Sequence, residues 1–429
     1  MSQTKSNKNL VAIVTMCFIF AMISFVTNMA APFGVIWGNQ FPWARTTGNL
    51  MNFAAYLFMG IPDGKMLMTV GYKKTTLIAL ATGFVGICIQ YLSSFSFLGG
   101  LAIYVYLLGA FVCGFCVCML NTVVNPSLNS LGGGGNRGNQ LIQTGGTLNS
   151  LTGTLTPMLI GALIGTVSAN TSMADVTPLL FIAMGVFALA FIIISFVDIP
   201  EPAKERKNVK YEHSAWNFRH FVLGAVAIFF YVGIEIGIPM YVNFYLADAS
   251  EKGAGILVNG AAIGGAIAAV YWLMMLVGRF SSTLISGKVS TRAQMTCVSS
   301  VAIVLVLAAI FSPKSITVSM PGYSVADGIA MFQVPLSCLF LVLCGLCTSI
   351  MWGAIFNLAV EGLGKYTEAA SGIFMTLVVG GGVMPYIQDF LAKGLGYMNS
   401  YWLVVAMLAY LLYYAVIGSK NVNKDIPVD

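Results

Sequence analysis

Glu235 is the residue with the most evident chemistry in this 429-residue chain. It sits inside FFYVGIEIGIPMYVNFYL, an apolar run that holds no other charge. A charge at membrane depth costs at least about 2.5 kcal/mol on insertion scales, so it faces protein or water and usually has a task. Two readings stay open for Glu235. One is a coupling carboxylate that takes up a proton or binds Na⁺; the other is a structural acid bonded to a neighbouring helix near Gly237 and Pro239. The remaining acids, Asp63 and Glu368 among them, are placed near the ends of apolar segments.

A second set of candidates is neutral. Asn28, Asn121, Gln143, Asn149, Asn243 and Asn357 all fall within long apolar stretches. Each amide carries two donors and an acceptor oxygen, the complement of a polyhydroxylated solute. Helix–helix hydrogen bonding, worth about 0.6–2 kcal/mol, is the competing account of any one of them. Trp352, close to Asn357, offers an aromatic face to the C–H side of a sugar ring.

Other chemistries are disfavoured. Cys113, Cys116 and Cys118 lie close together, but no histidine is near and the chain has only two. They read as small packed hydrophobes rather than metal ligands. The run Gly132 to Gly135 lacks the following Gly-Lys-Ser/Thr of a phosphate cradle, which argues against an ATP-driven pump. No catalytic residue, metal or cofactor is expected, so an enzyme is not the reading.

The elements that must carry these side chains are membrane spans. Hydrophobic residues make up 58% of the chain and charged residues 8%, with mean hydropathy +0.85. Soluble domains are about 25% charged. Apolar windows near 10–35, 48–70, 74–96, 99–123, 139–165, 177–199, 220–246, 255–278, 294–312, 329–357, 368–390 and 399–418 match the span of about 20 residues that a helix needs. They do not alternate as barrel strands would. The expected fold is therefore all-α, with twelve transmembrane helices. Of the 21 Lys and Arg residues, all but Arg45, Lys252, Lys314 and Lys393 then fall on the side of the termini. That bias places both termini in the cytoplasm of a multi-pass inner-membrane protein. The net charge of +6 suits anionic lipid headgroups and gives no reason to invoke nucleic acid.

The polar stretch 198–220 divides the chain into a six-helix half at 1–199, a cytoplasmic linker at 200–219 and a second six-helix half at 220–429. Short Gly- and charge-rich connections recur at matched places, 62–76 and 278–292, as internal repeats of a secondary transporter would require.

Several motifs carry a family resemblance. Pro62, Asp63 and Gly64, followed by Gly71, Tyr72, Lys73 and Lys74, resemble the loop signature of the major facilitator superfamily between helices 2 and 3. Asn125-Pro126 with Arg137 downstream, Tyr231-Val232-Gly233 with Glu235, Gly278-Arg279-Phe280, and Met351-Trp352 through Tyr366 are similar to motifs of its fucose–galactose–glucose branch. The resemblance implies a major facilitator fold and alternating-access transport. It also implies scaffold and gating roles for Asp63, Gly64, Gly71, Lys73, Lys74, Asn125, Pro126, Arg137 and Arg279. The chain departs from that branch where its proton-coupled members hold acids in helices 1 and 4, since Asn28 and Asn121 stand there instead.

Together these features suggest a monomeric secondary transporter of a small neutral sugar, embedded in membrane lipid and coupled to H⁺ or Na⁺. The alternatives are an uncoupled sugar or polyol facilitator and a carrier of another small polar solute. A sugar-lipid transferase would need clustered acids, and a sensor would need a larger cytoplasmic domain. Single cysteines at Lys5 and Lys420 should react with impermeant reagent only from the cytoplasmic side; labelling from the outer face would overturn the orientation.

Overall fold

The computed structural model describes residues 2–164, 171–199, 201, 213–258, 260–285, 287–324, 328–423 and 425–428. The long apolar runs form helices because, without water, backbone N–H and C=O groups must bond within their own segment. Six helices form the first half: α1 (Ser2–Gln40), α2 (Thr47–Thr69), α3 (Tyr72–Leu92), α4 (Ala102–Leu131), α5 (Gly135–Ile164) and α6 (Thr177–Phe196). The second half opens with α7 (Arg219–Ala247), α8 (Gly260–Ile285) and α9 (Thr291–Phe311). Its later spans are broken. α10 (Leu336–Thr348) continues into α11 (Met351–Ala359), and α12 (Thr367–Thr376) into α13 (Gly380–Leu395). A short α14 (Tyr397–Ser400) leads into α15 (Trp402–Tyr413). Among the described residues ten helical stretches are long and apolar enough to cross a membrane; the more polar α2 and α5 complete the twelve segments. Most of the linker, residues 202–212, lies outside the described residues.

Three boundaries differ from the apolar windows. The window 329–357 opens in a strand: β1 (Thr317–Ser324) and β2 (Gly328–Pro335) form an antiparallel hairpin before α10 begins. Alternating burial along β2 shows why, since IAMFQV has strand period as well as hydrophobicity. α4 runs two turns past its window, so Asn125 and Pro126 lie inside a helix and are buried. α8 likewise extends to Ile285, which places Arg279 within the helix rather than in a loop.

Each half is tied at a matched place. Gly71, at φ +92°, turns the chain into α3. The Glu201 carboxylate then accepts the Tyr72 and Lys73 N–H groups at 2.6 and 3.0 Å, where a helix N-terminus favours an anion. Lys73 Nζ donates to the Ser195 carbonyl at the end of α6. In the second half Arg292, near the start of α9, donates to the Ser419 carbonyl just past α15. The same span of each half is thus pinned by a cation to the end of its last helix. Lys74 and Arg137 are exposed and outside these ties.

The lipid-facing surface is apolar, with Phe181, Ile192 and Phe196 of α6 and Val304 and Phe311 of α9 exposed. Trp43 and Trp402 are half exposed, as interfacial rings are, whereas Trp37 is buried with its ring 5.7 Å from Tyr106. Helices α7 and α13 meet at Gly380, where an added Cβ would press into the Phe229 carbonyl. Backbone cannot swing aside as a side chain can. Gly380→Ala should therefore lower stability by about 1–3 kcal/mol, the range for overpacking. Thermal unfolding in detergent measures this, and an unchanged midpoint would refute the contact.

Candidate functional site

The two halves meet in a seam of named hydrogen bonds. Arg279 on α8 is its centre and, at 6% exposure, is buried. Its Nε donates to the Ser349 carbonyl at 2.9 Å. Its Nη1 reaches into the first half, to the Gly146 carbonyl, Asn149 Oδ1 and Ser150 Oγ of α5 at 3.0, 3.2 and 2.7 Å. Its Nη2 meets Glu235 of α7 at 3.2 Å. Both deep charges are therefore neutralised against each other. Arg279, which the window 255–278 leaves at a span's end on the side of the termini, is thus a buried basic side chain, because α8 extends beyond that window. The pairing supports the structural reading of Glu235.

Around this pair lie further bonds between halves. Trp352 Nε1 donates to Asn125 Oδ1 at 2.9 Å, and Gln143 Nε2 to the Ile350 carbonyl at 2.9 Å. Gln140 reaches the Thr283 carbonyl, and Ser371 the Thr122 carbonyl. Beside them α2 and α12 touch backbone to backbone: a Cβ on Gly64 would lie 3.1 Å from Gly372 Cα. All of these contacts sit toward one end of the bundle, the end bearing Lys73, Lys74, Arg292 and Lys365. That basic end is closed.

The amides separate into groups. Gln143, Asn149 and Trp352 spend hydrogen-bonding capacity on the seam, Asn149 also donating to the Phe20 carbonyl. Asn28 donates to the Ser24 carbonyl of its own helix and faces Gly153 of α5. Asn121 donates to Tyr56 Oη at 3.0 Å. Asn243 packs against Gly264 of α8, and Asn357 donates to Thr291 Oγ1 within the second half. Asn243 and Asn357 are thus not gathered with the others.

The sequence reading missed the depth of two acids and a polar crevice. Asp63 and Glu368, expected near span ends, are both buried, at 0% and 5% exposure. A small crevice within the first half is lined by Asn52, Gln90 and Tyr106, whose side-chain oxygens have no hydrogen-bond partner. The three come from α2, α3 and α4, and only packing brings them together. Among the described residues no group of three His, Cys, Asp or Glu side chains could hold a metal. Cys113 and Cys116 pack instead against Gly86 and Gly83 of α3.

Two helical bundles closed over a polar interior at one end define an alternating-access membrane carrier. The chain belongs to the Major Facilitator Superfamily, whose family model matches residues 12–385. It is a secondary transporter of a small solute, not an enzyme. A glucose/galactose transporter of Brucella abortus biovar 1 (strain 9-941) is 30% identical over 432 residues, covering 98% of this chain and 97% of the relative. The fold is shared with the fucose transporter FucP in its outward conformation, at TM-score 0.75 and 17% identity over 96% of this chain and all of that one. It is also shared with the proton:xylose symporter XylE, at TM-score 0.67 and 12% identity over 96% and 98% of the two chains.

Removing one member of a buried ion pair costs about 3–5 kcal/mol because the other is left uncompensated. Arg279→Met should therefore destabilise the protein strongly, and the double variant Arg279→Met with Glu235→Gln should recover part of that loss. Additive losses, read by thermal unfolding, would show that the two residues do not pair.

Proposed function

We propose that this chain carries a neutral hexose-like sugar across the inner membrane, driven by a cation gradient, with residues 1–199 and 220–429 as the two rocking bodies. One observation carries the substrate reading. Deep in the seam Glu235 pairs with Arg279, and the guanidinium spends Nε and both terminal nitrogens on it and on carbonyl, amide and hydroxyl oxygens. A site with its charge already matched offers no net attraction to an anion or a cation. Neutral amides and aromatic rings remain: Asn28, Asn121 and Tyr56, then Trp352 with Tyr231 and Phe374 edge-on to it. Such groups suit hydroxyls and the C–H faces between them. The Brucella relative, named as a glucose/galactose transporter, supports the same solute class.

Glu235 on this reading anchors Arg279 at the closed end, and both termini face the cytoplasm. The amides at positions 28 and 121 leave the first half without the acids that proton-coupled relatives use there, so the coupled ion must be held elsewhere or not at all.

Uptake of a labelled panel of hexoses, polyols and organic anions into proteoliposomes tests the substrate. Hexose uptake is expected; transport of an anion with no hexose uptake would refute the reading. Asn121→Ala should weaken sugar binding by about 1–3 kcal/mol, the cost of leaving a buried polar partner unmatched. Unchanged affinity, measured by isothermal titration on folded protein, would instead assign Asn121 to holding α2 against α4.

A further inference from the structure

Asp63 is a fully buried acid that the transport reading has not used. It lies on α2 at 0% exposure, and neither carboxylate oxygen has a hydrogen-bond partner. Thr122 and Cys118 of α4 face it. The Thr122 hydroxyl is already committed, donating to the Cys118 carbonyl at 3.0 Å. Among the described residues no basic side chain bonds to either carboxylate oxygen. The titratable groups around it are Tyr56 on α2, Cys116 and Cys118 on α4, and Glu368 on the α12 turn packed against Gly64. None of them supplies a positive charge. An ionised carboxylate in such a place costs far more than a protonated one. A hard cation such as Na⁺ prefers several oxygen ligands, and here one hydroxyl and a thiol are on offer.

Position adds to burial. Asp63 is six residues from the end of α2, about 9 Å along the helix, on the basic side of the seam. Its neighbour Gly64, with Gly60 one turn earlier, lies against the backbone of Gly372 of α12. Opening the seam at that point uncovers the flank of Asp63. Tyr56 lies two turns away on the same face and accepts the hydrogen bond of Asn121, the amide that stands where related proton symporters hold an acid.

We propose that Asp63 carries the coupled proton. The acid absent from helix 4 is replaced by one on helix 2, across the same helix–helix contact. With the basic end closed, Asp63 holds a proton taken from the opposite side. When α2 parts from α12, water reaches the carboxyl and the proton leaves to the side of the basic end. This rests on the sugar-transport reading for what the proton drives, but the protonation itself does not.

Two measurements on the full-length purified protein separate these. Infrared spectra at neutral pH should show the carbonyl stretch of a protonated carboxylic acid, lost in Asp63→Asn and recovered in Asp63→Glu. Absence of any such Asp63-dependent band overturns the proposal, whatever the substrate. In proteoliposomes with a trapped pH dye, sugar should drive proton movement in wild type. Asp63→Asn should lose that movement and concentrative uptake yet keep sugar counterflow, and Asp63→Glu should restore coupling. Sugar-driven proton flux persisting in Asp63→Asn, or sugar transport in wild type without proton flux, also overturns it. An Asp63-dependent band with no uptake of any sugar would uphold the buried proton and refute the sugar reading instead.

Discussion

A charge taken out of water must find a partner or give up its charge, and the interior of this protein is organised by that constraint. Arg279 meets it with a partner. A guanidinium has five N–H donors in a fixed fork, so a buried one needs acceptors arriving from several directions. Here they come from α5, from the Ser349 carbonyl beyond α10 and from Glu235 of α7. The requirement can be met only if the two halves are together at this end. Closure of the basic end thus completes the acceptors around the guanidinium, while its charge is matched by Glu235 within the second half.

The remainder of the seam is weaker, and it must be. A neutral hydrogen bond contributes about 0.5–1.5 kcal/mol net, since the groups regain water when they part. The Trp352–Asn125, Gln143–Ile350 and Ser371–Thr122 bonds are of this kind. Glycine contacts such as Gly64 against Gly372 hold by dispersion over short backbone stretches and interlock no side chains. A seam built from such pieces closes and opens within a few kcal/mol, as a carrier with two populated states requires.

Within each half the ties are firmer. Glu201 at the start of α3, Lys73 at the end of α6 and Arg292 at the end of the last span fasten helices to one another by charge-assisted bonds. Their recurrence at matched positions gives a physical reason for the paired Gly-and-Lys/Arg loops. The loops bring these charges to the helix ends that they fasten.

Composition alone determined that the chain crosses a membrane, because long apolar helices are the answer available to a chain this poor in charge. Charge asymmetry and the paired loops made the expectation of two halves legible as well, and local motifs carried the family. Depth was not legible. Asp63, Glu368 and Arg279 lie near the edges of hydropathy windows, where an averaged signal cannot tell a buried turn from a loop. The β-hairpin at 317–335 was hidden for a related reason, since a short apolar run has the same composition in a strand and a helix. Which amides spend their bonds on the seam depends on residues more than a hundred positions away, as with Asn125 and Trp352, and Glu235 finds its partner on a different helix, 44 positions on. Only the packing of the two bundles decided those, because a hydrogen bond is settled by proximity in space and the sequence records order along the chain.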